Sequence, residues 1–491
     1  MNYLDLTIKE IHSLLLEKKV TVSELVKEAL NRAKNDDTNA FEMILEEDAL
    51  KKAAELDKKE VPEDNLLFGI PYVAKNNFST KGYETNSSSN VLNGYVPCFD
   101  ASVITYLNEK DMVLIGKTTL DELAMGGTGT SGHLGTTYNP FDKTKTRLCG
   151  GSSCGSASSV ASGIVPFALG SDTGDSVRKP ASYTGLVGFK PTWGLISRYG
   201  LFPFAPSLDH VAYFTRSVFD SALMMNVLSR HDINDSTSNF MERPDYLTYN
   251  DSVKGKKVAI INQLYELLED KVIKDAYDKL LANLEKEGAE LVKVDVSLDL
   301  LKAVYPTYIV ISCAEATSNN ANLDGIKFGP YGGGDTYQDV MTNSRTQGFS
   351  PLIKRRFVIG SYALFKENQN EVFLRAQKAR RLIVNEFNKI FETCDTIVFP
   401  AAPSIAPLIK HTNDNIQKDY DVIDNWLGIG NFGGFPSITL PLGTEDGMPF
   451  GIEVMNKPFD EISLFGIAEN IEKYTGLRGF STKNAGFKEG K

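Results

Sequence analysis

The chain has 491 residues, 42% hydrophobic and 23% charged, with 52 lysines and arginines against 63 aspartates and glutamates, a formal net charge of −11. This is an ordinary globular composition, long enough to bury a large core without disulfides or metal, and at about 150 residues per domain the starting expectation is about three domains. The acidic balance gives no global pull toward nucleic acid or anionic lipid. Only five histidines are present, His12, His133, His210, His231 and His411, which argues against a histidine-rich metal site and leaves few partners for a Ser-His-Asp triad. The five cysteines (Cys98, Cys149, Cys154, Cys313 and Cys394) are odd in number and contain no C-x-x-C pair, which argues against zinc and against a disulfide framework. Thiols in a reducing cytosol are the better reading. The first residues lack an uninterrupted apolar signal core, and no run of about 18 apolar residues occurs. The expectation is a soluble, cytoplasmic protein with no membrane span.

In chain order, residues 1–60 read as helices that cover the main body. Thr7 and Glu10 form an S/T-x-x-E capping box with Leu6 and Ile11 as its staple, and Thr21 and Glu24 repeat the device with Val20 and Leu25. Leu25, Val26, Ala29, Leu30 and Ala33 keep helical spacing. From about residue 66, short apolar runs at 70–74 and 112–115 read as strands, and 118–125 reads as helical. Residues 257–261, 272–290 and 291–296 then read as strand, helix and strand. Residues 371–392 are strongly helical in pattern, and 396–400 and 437–442 are buried strands. The stretches 326–350 and 411–420 read as surface loops. Alternation of this kind implies an α/β architecture with a largely covered sheet.

The region 126–200 is rich in glycine and small polar residues. Gly127, Gly129 and Gly132 match G-x-G-x-x-G, but a dinucleotide site needs a strand before and a helix after, and here a helical-looking stretch (118–125) precedes and a loop (133–142) follows. Gly127 and Gly132 also stand at P-loop spacing, with His133 where the lysine is required. Gly151 to Gly155 formally gives G-x-S-x-G around Ser153, a minority reading because residues 143–149 make a poor strand. Residues 156–191 read as a small-residue helix, a short strand at 166–169 and a tight loop at 171–176. Such a loop can point several N–H groups at one spot, as an oxyanion hole requires.

The motifs GGSSCGSASS (150–159) and GSDTGDSVRKPASYTGLVGFKPTWG (170–194) resemble the amidase signature family. The resemblance extends to FGIPYVAKNN (68–77) and to RYGLFPFAPSLDHVAYFTRS (198–217). Within the family the chain is most similar to the A subunits of tRNA-dependent amidotransferases, through AEATSNNANLDGIKFG (314–329), IKRRFVIGSYAL (353–364) and NFGGFPSITLPLG (431–443). The resemblance implies an α/β amidase-signature fold, a large mixed sheet covered by helices on both faces. The three-domain expectation gives way to one compact domain, residues 61–491, behind the helical cover of 1–60.

It also implies a Ser-Ser-Lys triad: Lys75 as base, Ser152 as bridge and Ser176 as nucleophile, with the two serines 24 residues apart. An amide is a poor electrophile, so a nucleophile, a proton relay and oxyanion stabilisation are all needed. Lysine serves as base only when neutral, and desolvation can lower its pKa enough. Backbone N–H groups of Thr173, Gly174 and Asp175 would form the oxyanion hole. Arg356 (or its neighbour Arg355) would bind a glutamine carboxylate and Asp424 its amino group, with Tyr308 on the pocket wall. No metal or cofactor is implied in this chain. ATP and Mg²⁺ are expected at a B subunit that also binds the misacylated tRNA, with a C subunit completing a heterotrimer.

Two residues depart from the family pattern. Cys154 and Asp175 both stand where glycine is usual, and the Asp175 carboxylate is expected to turn outward, toward Arg178 or a neighbouring loop. His210 and Tyr213 stand where relatives often carry Gln and Pro. The alternatives are a stand-alone amidase acting on another amide and a scaffold subunit that has lost activity.

Overall fold

The computed structural model describes residues 2–411 and 422–485. All but the first residue of the stretch 411–420, expected as a loop, lie outside the described residues. The centre of the molecule is an eleven-stranded sheet. Its strands are β1 (Phe41–Ile44), β2 (Pro71–Lys75), β3 (Val113–Thr118), β4 (Phe167–Asp172), β5 (Val187–Lys190), β6 (His210–Thr215), β7 (Lys257–Ile261), β8 (Glu290–Val294), β9 (Thr396–Pro400), β10 (Ser437–Glu445) and β11 (Met448–Asn456). The spatial order is β1-β3-β2-β4-β6-β5-β10-β11-β9-β7-β8. β2 runs parallel to both β3 and β4, and β7 runs parallel to β8 and β9. Antiparallel pairs join the two parallel groups, so the sheet is mixed. The inner strands β2, β4, β5, β6, β9 and β11 are buried throughout. That is why they read as continuous apolar runs and not as alternating ones. The edge strand β8 carries Glu290 and Lys293, and charge on an edge discourages further pairing.

The parallel pairing of β2 with β4 matters most for the position of the site. Ala74 lies opposite Leu169, so the carboxyl ends of the two strands come out side by side. In open α/β sheets, sites gather outside such strand ends. The helix Cys154–Ala161 packs directly beneath them. A Cβ on Gly155 would sit 2.4 Å from the Ala40 carbonyl and 2.8 Å from the Thr119 nitrogen. The Ser156 hydroxyl donates to the Leu169 carbonyl at 2.8 Å, which ties this helix to β4. Small residues are therefore required here by close approach.

Both N-terminal capping boxes form. In the second, the Glu24 N–H donates to Thr21 Oγ1 at 3.2 Å and the Thr21 N–H donates to Glu24 Oε2 at 2.8 Å. The helices Ile8–Leu16, Val22–Lys34 and Glu46–Leu56 bury Ile8, Leu25, Val26 and Ala53 in the same apolar cluster as the sheet. The helical reading of 1–60 needs one correction: Phe41–Ile44 is strand β1, which adds an antiparallel edge against β3.

Three further expectations change. Residues 118–125 are not a helix: β3 runs to Thr118, and only a short turn Glu122–Ala124 follows, with Leu123 at φ 52°. The cause is Asp121, whose carboxylate is taken up by backbone N–H groups of residues 128–131. Residues 326–350 are not all loop, because Tyr337–Gly348 is a helix that starts on a Thr336–Asp339 capping box. The strand expected at 166–169 is β4, which continues to Asp172 and so takes in the start of the expected loop. Among the described residues no helix is long and apolar enough to cross a membrane.

A Thr21→Ala substitution removes one capping acceptor, at a cost of about 1 kcal/mol. Amide hydrogen exchange in the first turn of Val22–Lys34 should then speed up about fivefold, with exchange in β4 unchanged.

Candidate active site

Lys75 ends β2 and is completely buried. Its Nζ lies 2.7 Å from Ser152 Oγ, 2.9 Å from Ser171 Oγ and 3.0 Å from Ser153 Oγ. Among the described residues every partner of this nitrogen is a serine oxygen, counting the longer contact to the Ser171 carbonyl. Hydroxyls satisfy an amine but do not neutralise an ammonium. Burial accordingly pulls the Lys75 pKa down from the ordinary lysine range to about 7. Lys75 can therefore be neutral at physiological pH.

Two other buried lysines, Lys117 and Lys190, are also lowered to about 7 by burial. Their partners separate them from Lys75. Lys117 Nζ donates to the Phe78 carbonyl at 2.9 Å and to Thr85 Oγ1 at 3.1 Å. Lys190 Nζ donates to the carbonyls of Phe435, Gly430 and Pro191. Both pin backbone, and neither touches a serine of the 152–176 region.

Ser152 is delivered by a loop built around Asp121. The Asp121 carboxylate is fully buried and accepts N–H donors from Thr128 (3.1 Å), Gly129 (2.9 Å), Thr130 (3.0 Å) and Ser131 (3.1 Å). Four successive N–H groups on one anion make a nest. The glycine-rich stretch at 127–132 thus encloses the chain's own carboxylate. Gly129 has φ +76°, and a Cβ on Gly151 would fall 1.9 Å from Asp121 Oδ2. The Asp121 N–H in turn donates to the Ser152 carbonyl at 3.2 Å. Cys154, one of the two departures, packs here against Gly129 and is buried; burial pushes its thiol up to about 12, so it stays protonated.

Ser176 lies in the turn that leaves β4. The turn is fixed by a buried ion pair between Arg178 and Asp172. Arg178 Nη2 lies 2.9 Å from Asp172 Oδ1, and its Nε 3.2 Å from Asp172 Oδ2. Burial opposes the Asp172 charge, but the Arg178 guanidinium overrides it and holds the carboxyl below the usual carboxylate range. Asp172 Oδ2 also accepts the Val177 N–H at 2.9 Å. Three carbonyls of the turn point into the protein: Gly174 accepts from Arg178 Nη2 at 2.8 Å, Asp175 from the Lys179 N–H at 2.9 Å and Ser176 from the Ser153 N–H at 3.2 Å. A trans peptide sets its N–H opposite its carbonyl, so the N–H groups of Asp175 and Ser176 face away from these contacts. Among the described residues, none of the N–H groups of Thr173, Gly174, Asp175 or Ser176 donates to a protein acceptor. This is the donor array that a developing oxyanion needs.

The three triad candidates meet unequally. Lys75 and Ser152 are hydrogen-bonded, and Ser176 adjoins them through the backbone contact to Ser153. Among the described residues the Ser176 hydroxyl has no hydrogen-bond partner, so the bridge expected from Ser152 to Ser176 is not made. Ser171 was not anticipated from the sequence, and Ser153 enters there only as the serine of the minority G-x-S-x-G reading. Ser171 Oγ is held by Asn77 Nδ2 at 3.0 Å, and the Ser153 hydroxyl donates to the Ser171 carbonyl at 3.1 Å. Ser153 sits on no strand-to-helix turn of the hydrolase kind, because no strand precedes it.

A small cleft opens beside the turn, lined by Gly174, Asp175, Val304, Tyr305, Tyr308 and Gly428 among others. Tyr308 packs on Gly174 so closely that a Cβ there would lie 3.0 Å from its ring. The Arg356 guanidinium is stacked 5.8 Å from the Phe204 ring and interacts with Tyr308 and Cys313. Its Nε and Nη1 are buried without a hydrogen-bond partner among the described residues. Unpaired buried donors on a cation suit an incoming carboxylate. Asp424 is on the helix Val422–Asn425, and its Oδ1 accepts from Lys179 Nζ at 3.0 Å.

The Asp175 carboxylate is paired, but not with Arg178, the side chain expected. Its Oδ2 lies 2.7 Å from Lys179 Nζ, because Arg178 is already committed to Asp172 and Glu453. His210 is buried and uncharged, its pKa driven well below the ordinary value by burial, with Nδ1–H donating to the Leu208 carbonyl at 2.7 Å. The Tyr213 hydroxyl donates to the Ser221 carbonyl at 2.7 Å. Both complete the sheet's interior.

A family model described as Amidase matches residues 24–465, and the chain belongs to this family. It is 39% identical to the A subunit of glutamyl-tRNA(Gln) amidotransferase from Persephonella marina, across 97% of this chain and 98% of that one. The crystal structure of the A subunit of glutamyl-tRNA(Gln) amidotransferase from Thermotoga maritima superposes with a TM-score of 0.79 at 33% identity, covering 97% of each chain. A bacterial aryl acylamidase of the amidase signature family superposes with a TM-score of 0.84 at 22% identity, which shows the shared fold alone.

If neutral Lys75 activates Ser176, sulfonyl fluoride labelling of Ser176 should be slow at low pH, fall about tenfold per unit below about 7, and level off above it. The sign follows from the base being the deprotonated form. Labelling should be lost in Lys75→Met at every pH.

Proposed function

We propose that this chain is the glutaminase subunit of a tRNA-dependent amidotransferase. The observation that carries the proposal is the buried Lys75 amine, held only by serine oxygens beside a turn of free N–H groups. The near-full-length similarity to curated A subunits supports the choice of reaction.

In this reading glutamine enters the cleft with its α-carboxylate on Arg356, its α-ammonium on Asp424 and its side chain along Tyr308. Ser176 Oγ attacks the amide carbon. Its proton passes through the Ser152 hydroxyl to neutral Lys75, a relay that needs no histidine. The oxyanion takes hydrogen bonds from the turn N–H groups of Thr173, Gly174 and Asp175. Collapse breaks the C–N bond, and the proton returns through Ser152 to the leaving nitrogen as ammonia. Water then attacks the glutamyl ester by the same relay, releasing glutamate and restoring Ser176. Ammonia moves on to a B subunit, which binds Glu-tRNA(Gln), ATP and Mg²⁺, with a C subunit completing a cytoplasmic heterotrimer. The net charge of −11 fits a subunit that leaves the tRNA to its partner.

Ser176→Ala should lower glutaminase kcat by about 10⁴-fold, and Ser152→Ala by about 10²–10⁴-fold, with circular dichroism unchanged. The chain purified from its own cells should bring a tRNA-binding partner with it. Preference for a fatty amide over glutamine, together with no such partner, would instead favour a stand-alone amidase.

A further inference from the structure

The departure at Asp175 is coupled to a second residue. Lys179 stands one turn later on the helix Arg178–Thr184, at the variable position of the R-x-P motif. Its Nζ lies 2.7 Å from Asp175 Oδ2 and 3.0 Å from Asp424 Oδ1, and it also donates to the Asp424 carbonyl at 2.6 Å. One ammonium therefore bridges two carboxylates. The first belongs to the residue before the candidate nucleophile, and the second to the candidate amine site. The Lys179 side chain is 8% exposed, against 25% for Asp175 and 31% for Asp424. The lysine is thus spent on its two partners, while both carboxylates keep an open side. Asp175 lines the cleft directly, and so does Asn425, next to Asp424.

The charge balance of this group follows. Two carboxylates and one ammonium leave one net negative charge, the same as a lone Asp424 would provide. We propose that Asp175 and Lys179 are a charge couple that tunes the amine side of the cleft, Lys179 shielding the oxyanion turn from the Asp175 carboxylate while Asp175 keeps Lys179 from fully neutralising Asp424. The inference rests on the glutaminase reading and adds positioning residues to it. Neither residue is required to touch glutamine. Lys179 holds Asp424 through both its carboxylate and its backbone carbonyl, so it fixes the direction as well as the charge of that acid. The physical reason an aspartate can stand beside an oxyanion hole is then a lysine four residues on.

The two single substitutions should fail in different ways. In Asp175→Gly the whole Lys179 charge falls on Asp424, and the KM for L-glutamine should rise about 10-fold, more than kcat changes. In Lys179→Gln an unshielded carboxylate faces the developing oxyanion, and kcat should fall about 10-fold or more. The double variant should recover both constants to within about threefold of the unsubstituted chain. Glutaramate, which is glutamine without its α-amino group, serves as the control substrate. Its KM should move far less than that of L-glutamine in Asp175→Gly. Sulfonyl fluoride labelling of Ser176 reports that each variant keeps its turn. Additive losses in the double variant, equal KM changes for both substrates, or an Asp175→Gly chain faster than the unsubstituted one would overturn the couple. If the unsubstituted chain treats L-glutamine and glutaramate alike, the glutaminase reading fails first, and the couple falls with it.

Discussion

The site depends on one constraint: a lysine amine is buried where only serine oxygens can meet it. Lys75 could have been neutralised by a carboxylate, as buried lysines usually are. Instead its partners are Ser152, Ser153 and Ser171, and burial carries its pKa to about 7. Each partner arrives by a different route. The parallel register of β2 and β4 brings Ser171, and the Asp121 nest brings Ser152 and Ser153. The sheet, the glycine-rich loop and the small-residue helix thus converge on the surroundings of one nitrogen. Low pKa alone does not mark the base, since Lys117 and Lys190 share it. What distinguishes Lys75 is the kind of atom around it.

The second constraint is the Arg178–Asp172 pair. A fully buried ion pair is weak support for stability, because desolvation offsets most of its attraction. Its value here is geometric. Arg178 also reaches the Leu427 carbonyl, Asn431 Oδ1 and Glu453, so it ties the turn after β4 to the far side of the sheet. With Asp172 capping Val177 and Arg178 holding the Gly174 carbonyl, the peptide planes of the turn have little freedom. Donors preset in this way need no reorganisation when charge develops.

Much of this was legible in the sequence, for identifiable reasons. Capping boxes are local, and both N-terminal ones form. Strands 257–261 and 396–400 fall where their apolar runs place them. Lys75, Ser152 and Ser176 followed from the family motif. The features that were not legible depend on contacts distant in sequence. Strand β1 is only four residues long and half-buried, too short for a period to declare itself. The turn at 118–125 has helical composition, and only the loop around Asp121 prevents a helix. Ser171 and Ser153 are ordinary serines until strand pairing and the loop around Asp121 set them against Lys75. Lys179 is likewise an ordinary lysine until the fold brings its partners together from four and 245 residues away.

The central claim is that Lys75 loses its charge around neutral pH because it is buried and, among the described residues, no carboxylate pairs with it. Lysine labelled with ¹³C at Cε, followed by NMR across a pH series, reads that charge directly. The resonance that disappears in Lys75→Met identifies the residue. The account predicts that this resonance titrates with a midpoint near 7. A midpoint near the ordinary lysine value of about 10.4 would contradict it.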